Sequence, residues 1–330
     1  MSYTAIKLVK RPEGMITPDI FEVATLARPP LTEGRVRIKQ SHMSLDPAMR
    51  GWMNASRRSY VAPVELGSVM RALGFGEVIE TTVDAFPVGA KVMGMFGWAE
   101  EAVLPAKYLT PIPGGVDASL ALSVLAIPGQ TAVYGLFDLG EPKAGETIII
   151  TGGAGAVGSL VGQMAKAEGL RVIGVSGSDD KRRWMEETLG YDATVNYKRE
   201  TLWDDLKQAA PDGIDIFFEN TGGPIQHMIV PLMNPFGRVV VCGMIADYNK
   251  TKPSPGPSWV TFIMKRLRVQ GFALTDHNDR AVEFIQRLLG YVQAGKIQHR
   301  AHIIDGLENA ITGINLLFTG EKQGKLIVRL

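Results

Sequence analysis

The chain has 330 residues, too many for one ordinary hydrophobic core and few for three, so two domains are the starting expectation. Lys and Arg number 35 against 34 Asp and Glu, a net charge of +1, which leaves no field to gather nucleic acid or anionic lipid. A single cysteine, Cys242, excludes an intrachain disulfide framework and a thiolate zinc cluster, and it fits a reducing, cytoplasmic compartment.

Up to about residue 110 the chain shows short β-prone runs punctuated by Gly and Pro, at 35–40, 73–80 and 88–95, which predicts a mostly β domain. From Asp117 the apolar spacing turns helical, and after Glu146 strand and helix alternate at intervals suited to βαβ units. Strands are predicted at Thr147–Thr151, Arg171–Ser176, Ile214–Glu219, 237–242 and 267–272. The segment 252–258, with three prolines and a glycine, must be a loop. The last stretch pairs an apolar helical pattern with a single strand at 325–330, which could return to the first domain. Apolar runs such as 239–246 fall far short of the ~20 residues of a membrane helix, and the N-terminus shows no signal-peptide core. No membrane or nucleic-acid partner is therefore expected.

The strongest local pattern follows the first of the later strands, where TIIIT runs into GGAGAVG and then a helical stretch. Gly153, Gly155 and Gly158 fit G-x-G-x-x-G between strand and helix: the first permits the tight turn, the second admits a pyrophosphate to the backbone, and the third lets helix pack on strand. The N–H groups of Ala156, Val157 and Gly158 then open a helix whose dipole favours an anion.

The end of the next strand selects the cofactor. An acidic residue there would accept hydrogen bonds from an adenosine ribose, but the chain reads Ser176, Gly177, Ser178, with Lys181 just inside the following helix. This favours NADPH over NADH. Ser178 also suits a helix cap, and Asp179 and Asp180, which complement the helix dipole, would oppose an incoming anion.

Taken together, SLDPAMRGWM at 44–53, IPGQTAVYGL at 127–136, GGAGAVGS, NYK at 196–198, ENTGG at 219–223, CGMIADYN at 242–249, KRLRVQGF at 265–272 and the terminal GKLIVRL resemble, in order and spacing, the zinc-independent medium-chain dehydrogenase/reductases. Within them the likeness is to the prostaglandin reductase, leukotriene hydroxydehydrogenase and alkenal double-bond reductase branch. The resemblance implies an α/β chain: a GroES-like, mostly β catalytic domain formed by 1–126 and 300–330, and a doubly wound Rossmann domain at 127–299. It also implies a homodimer paired through 267–272. By the matching motifs, 155–158 would cradle the pyrophosphate, Lys181 and Tyr197, with Ser178, would meet the 2′-phosphate, and Thr131, Asn220, Cys242, Gly243, Ile245, Tyr248, Phe272, Ala273, Leu274 and Gln323 would line the rest of the cofactor. Two departures stand out. Gln323 occupies a position where the family usually has Asn, and the segment 63–74, with Met70, Arg71 and Leu73, borders the substrate in relatives.

The chemistry follows from what the side chains offer. His42, His227, His277, His299 and His302 are scattered, and the first domain has no Gly-His-Glu, so no metal site is expected. Without a Lewis acid, hydride addition to a plain ketone leaves an alkoxide poorly stabilised, whereas addition to the β carbon of an enal or enone yields an enolate that a hydroxyl can support. Tyr248 is the leading donor; binding the nicotinamide ribose is an equally good reading of it. Tyr60, in RSYVAP at 58–63, is a second candidate at the substrate. The rivals are a quinone reductase of the same superfamily and a non-catalytic NADPH-binding protein.

Overall fold

The computed structural model describes residues 1–56 and 59–330; Arg58 of the RSYVAP segment lies outside them. Two compact units emerge, Met1–Leu122 with Ala301–Leu330, and Ser123–Arg300.

The first unit is mostly β. β1 (Ser2–Leu8) and β2 (Phe21–Ala27) form an antiparallel pair. A larger sheet takes β3 (Arg35–Leu45), β4 (Gly74–Thr81), β5 (Lys91–Gly94), β6 (Glu101–Pro105) and β7 (Thr110–Pro111). The predicted run 35–40 is the first half of β3, 73–80 falls one residue ahead of β4, and 88–95 contains the shorter β5. Val36 and Ile38 on β3, Val78 on β4 and Val92 on β5 are fully buried in one cluster.

The second unit carries six parallel strands: β8 (Thr147–Thr151), β9 (Arg171–Ser176), β10 (Ala193–Asn196), β11 (Ile214–Glu219), β12 (Met233–Val241) and β13 (Arg268–Gly271). Their order is β10-β9-β8-β11-β12-β13 with helices in the crossovers, a Rossmann sheet. Ile148, Ile149 and Ile150 all have zero exposure, because a parallel strand covered on both faces is an unbroken apolar run and not an alternating one. Each contributes ~1.5–3 kcal/mol of burial. Three predicted strands match residue for residue. The fourth, 237–242, begins four residues earlier at Met233 and stops at Val241, and the fifth is trimmed by a residue at each end. Four-residue β10 escaped prediction because so short a run shows no periodicity.

The chain end returns to the first unit. β14 (Ala301–Asp305) runs parallel to β15 (Lys325–Arg329), and β15 pairs antiparallel with β3. Buried Lys325 fixes the junction, donating through Nζ to the Leu45 carbonyl at 2.9 Å and pairing with Asp46, which also accepts from the Ser44 hydroxyl. Removing one partner of such a buried pair leaves an uncompensated charge.

One sequence expectation needs correcting. The helical run Ala118–Gly140, capped by Asp117, whose carboxylate accepts the Leu120 N–H at 2.8 Å, has 23 residues and a mean hydropathy of 1.5 over its most apolar window. It is long and apolar enough to cross a membrane, yet 72% of that window is buried inside the protein, as in a core helix.

Candidate functional site

The chain winds outward from β8 in both directions, through β9 and β10 on one side and β11 to β13 on the other. The C-terminal ends of β8 and β11 therefore flank a switch point, where open parallel sheets bind ligands.

At the end of β8 the chain turns into the helix Ala156–Ala167, whose N-cap is Gly155. The left-handed residue of the turn is Gly152, φ 61°, so the conformational demand assigned in sequence to Gly153 falls one residue earlier. Gly153 is instead required by packing: a Cβ there would sit 2.8 Å from the Met185 sulfur. At Gly158 a Cβ would lie 2.4 Å from the Gly152 carbonyl oxygen, so helix and turn close up only without a side chain. The open amides of Ala156, Val157 and Gly158 then form a cradle that fits a pyrophosphate.

Beyond β9, Ser178 caps the helix Asp179–Glu187 by accepting the Lys181 N–H at 3.4 Å. Tyr197, at the end of β10, donates its N–H to the Ser176 carbonyl at 3.0 Å, and its ring lies over Gly177, where a Cβ would be 2.7 Å from the hydroxyl. Ser178, Lys181 and Tyr197 thus meet at one corner. Burial, and then the nearby Lys198 ammonium, push the Lys181 pKa down. Lys198 is a cation that the sequence reading quoted within NYK but gave no role. The aspartates do not repel an anion as feared. Asp179 accepts from Asn196 at 3.3 Å, Arg199 at 3.1 and 3.2 Å and Arg182 at 3.3 Å, and these bonds, Asn196 foremost and then Arg199, hold its carboxyl below the usual range. Asp180 is paired with Arg183. Both negative charges are matched before a ligand arrives.

At the other end of the crevice the groups are neutral or buried. Glu219, at the end of β11 with zero exposure, accepts from the Thr151 hydroxyl and from the Thr221 N–H at 2.6 Å, while its Oε2 is buried without a protein partner among the described residues. Thr151 in turn accepts the Asn220 N–H at 2.9 Å, and its carbonyl takes the Asn220 side-chain amide at 2.8 Å. The loop after β12 is stitched back onto this strand end: Cys242 and Gly243 donate to the Glu219 carbonyl at 2.9 and 3.1 Å, and Ile245 donates to that of Asn220 at 3.4 Å. The Tyr248 hydroxyl accepts the Met244 N–H at 3.2 Å, which ties the ring to the loop after β12. The Cys242 thiol is pushed up to about 12, by burial and then by the Glu219 carboxylate.

Phe272, Ala273 and Leu274 follow β13, with the Phe272 ring 5.3 Å from Tyr134, and Thr131 is buried in the helix Ile127–Val133. Tyr60, 66% exposed, and Gln323 belong to the first unit. No group of three or more His, Cys, Asp or Glu comes together among the described residues in a way that could hold a metal.

Residues 4–112 match the family described as the N-terminal domain of oxidoreductase, and residues 156–289 match the one described as zinc-binding dehydrogenase. The chain is 36% identical to prostaglandin reductase 1 of Bos taurus, covering 96% of this chain and 95% of that protein. It is 37% identical to the NADPH-dependent curcumin reductase of Escherichia coli, covering 98% and 95%. The crystal structure of CurA in complex with NADPH from Vibrio vulnificus superposes with a TM-score of 0.93 at 34% identity, covering 99% of this chain and 98% of that one. Fold and site together define an oxidoreductase built from a Rossmann unit and a GroES-like, mostly β unit. The chain belongs to the medium-chain dehydrogenase/reductase family, in the zinc-independent branch of the prostaglandin and curcumin reductases.

Proposed function

We propose that the chain uses NADPH to reduce the C=C bond of α,β-unsaturated aldehydes or ketones, without a metal. The observation that carries the cofactor reading is the cationic corner of Lys181, Lys198 and Tyr197, with Asp179 and Asp180 already paired. It suits a 2′-phosphate, and the amides at 156–158 suit the pyrophosphate.

NADPH, when bound, supplies the hydride. The chain's share is to hold and polarise. Asn220, fixed by Thr151, and the 242–248 loop, fixed by the carbonyls of Glu219 and Asn220, form the wall toward the nicotinamide end, joined by Thr131 and by Phe272, Ala273 and Leu274. We read Tyr248 as the hydrogen-bond donor to the carbonyl oxygen on which charge collects as hydride reaches the β carbon. Tyr60 and Gln323 belong to the mostly β unit, which we read as the catalytic, substrate-binding domain. We also read β13, the edge strand whose four residues are all exposed, as the pairing strand of a homodimer. Light scattering that gives a monomer mass at micromolar concentration would refute that pairing. A cytoplasmic setting suits the lone free thiol.

The deciding experiment is product analysis with an enal, an enone, their saturated analogues and a quinone, each with NADPH. The saturated carbonyl compound should form from the first two, with little turnover of the saturated analogues. Formation of the allylic alcohol, or turnover of the quinone alone, would overturn the assignment.

A further inference from the structure

Tyr191, between the helix Asp179–Glu187 and β10, is 4% exposed, and its hydroxyl reaches under the glycine turn. It donates to the Gly158 carbonyl at 2.7 Å and lies 3.2 Å from that of Gly153. One phenol thus contacts both ends of the turn: Gly153 just after β8 and Gly158 in the first turn of the helix. Because a trans peptide sets C=O and N–H on opposite sides, drawing the Gly153 carbonyl toward Tyr191 turns the Ala154 N–H the other way.

The surroundings are cleared for this reach. A Cβ at Gly162, inside the helix, would fall 2.0 Å from the Tyr191 hydroxyl, and one at Gly174, inside β9, would fall 2.7 Å from its ring. Glycine weakens both a helix and a strand interior, and Tyr191 occupies the space at both placements, alone at Gly162 and together with the Met185 sulfur, 2.6 Å from such a Cβ, at Gly174.

We propose that Tyr191 is a positioning residue for the cofactor, holding the pyrophosphate-binding turn at the span and peptide orientation that the dinucleotide needs. The proposal rests on reading this turn as the pyrophosphate cradle. It differs from the role of Lys181, because the pyrophosphate is common to NADPH and NADH.

Tyr191→Phe in the full-length protein tests it, since the ring and its seat are kept and only the hydroxyl is lost. Dissociation constants for NADPH and NADH, measured by calorimetry, should both rise by the same factor, roughly five- to tenfold for one buried hydrogen bond. The rate at saturating NADPH should hold, so the loss appears in KM and not in kcat. A lowered denaturation midpoint with both affinities unchanged would make Tyr191 merely structural and overturn the proposal, as would a loss confined to NADPH or to kcat. If the wild-type protein binds neither dinucleotide, the cofactor reading fails; if it binds both and Tyr191→Phe binds them equally well, only the Tyr191 proposal fails.

Discussion

At one end of the crevice Lys181, Lys198 and Tyr197 gather on the rim, with Tyr197 47% exposed, and the neighbouring Asp179, itself half in solvent, is matched by Arg199, Arg182 and Asn196. At the other, Glu219, Thr151, Asn220 and the 242–248 loop share hydrogen bonds in the interior, and Glu219 has no exposure at all. In the proposed function the first end recognises charge, which acts over several ångströms and tolerates a flexible side chain. The second, on the proposed mechanism, has to place a reacting oxygen, and its groups are already held by one another. The difference teaches where a mutation should be felt: in binding at the rim, in rate at the interior.

Tyr248→Phe should show the largest effect. Hydride transfer followed by stopped flow should slow ~10²–10³-fold, as on loss of a principal oxyanion donor, while NADPH affinity changes little. A loss in affinity alone would mean that Tyr248 only seats the cofactor, and the contrast between the two ends would collapse.

Lys181→Ala should come next, raising the dissociation constant for NADPH by one to two orders of magnitude and leaving NADH nearly untouched, since a charge-assisted bond contributes ~1.5–3 kcal/mol. The same contrast should appear with pH. Burial and Lys198 lower the Lys181 pKa, so as pH rises its charge is lost before that of an ordinary lysine. Titration of both cofactors should show NADPH affinity falling on the alkaline side with NADH affinity flat; parallel curves would remove Lys181 from the 2′-phosphate.

Arg199→Ala should give the smallest effect. It removes one partner of Asp179 and exposes more of that carboxylate to the incoming phosphate. NADPH affinity should fall only a few fold, because exposed charges are screened, and added salt should erase the difference. A salt-independent loss would point to direct contact with the cofactor.

Much of this architecture was legible in the sequence because it is local. TIIIT followed by GGAGAVG carries strand, turn and helix within a dozen residues, and Lys181 stands one helical step past a strand that ends without a carboxylate. What stayed hidden depends on contacts distant along the chain. Asp179 looked hostile to a phosphate because Asn196 and Arg199, 17 and 20 residues on, reach it only once β10 lies beside β9. Tyr191 drew no attention in the sequence because the carbonyls it serves are 33 and 38 residues earlier. Gly152 was passed over for Gly153 because a motif fixes spacing and not φ. The run Ala118–Gly140 was not singled out as a long apolar helix, since Gly and Pro interrupt its pattern.

Cys242 gives the cofactor wall a chemical consequence of its own. Conjugated aldehydes alkylate thiolates, so an enzyme that takes them as substrates, as proposed above, risks modification by them. With the thiol pushed up to about 12, by burial and then by the Glu219 carboxylate, the protonated, weakly nucleophilic form is favoured at neutral pH. Burial does most of this, and the same Glu219 whose backbone carbonyl anchors the loop adds to it. Intact-mass analysis after prolonged exposure to an enal should find Cys242 without an adduct, and an adduct appearing at the rate of a free thiol would show that this protection is absent.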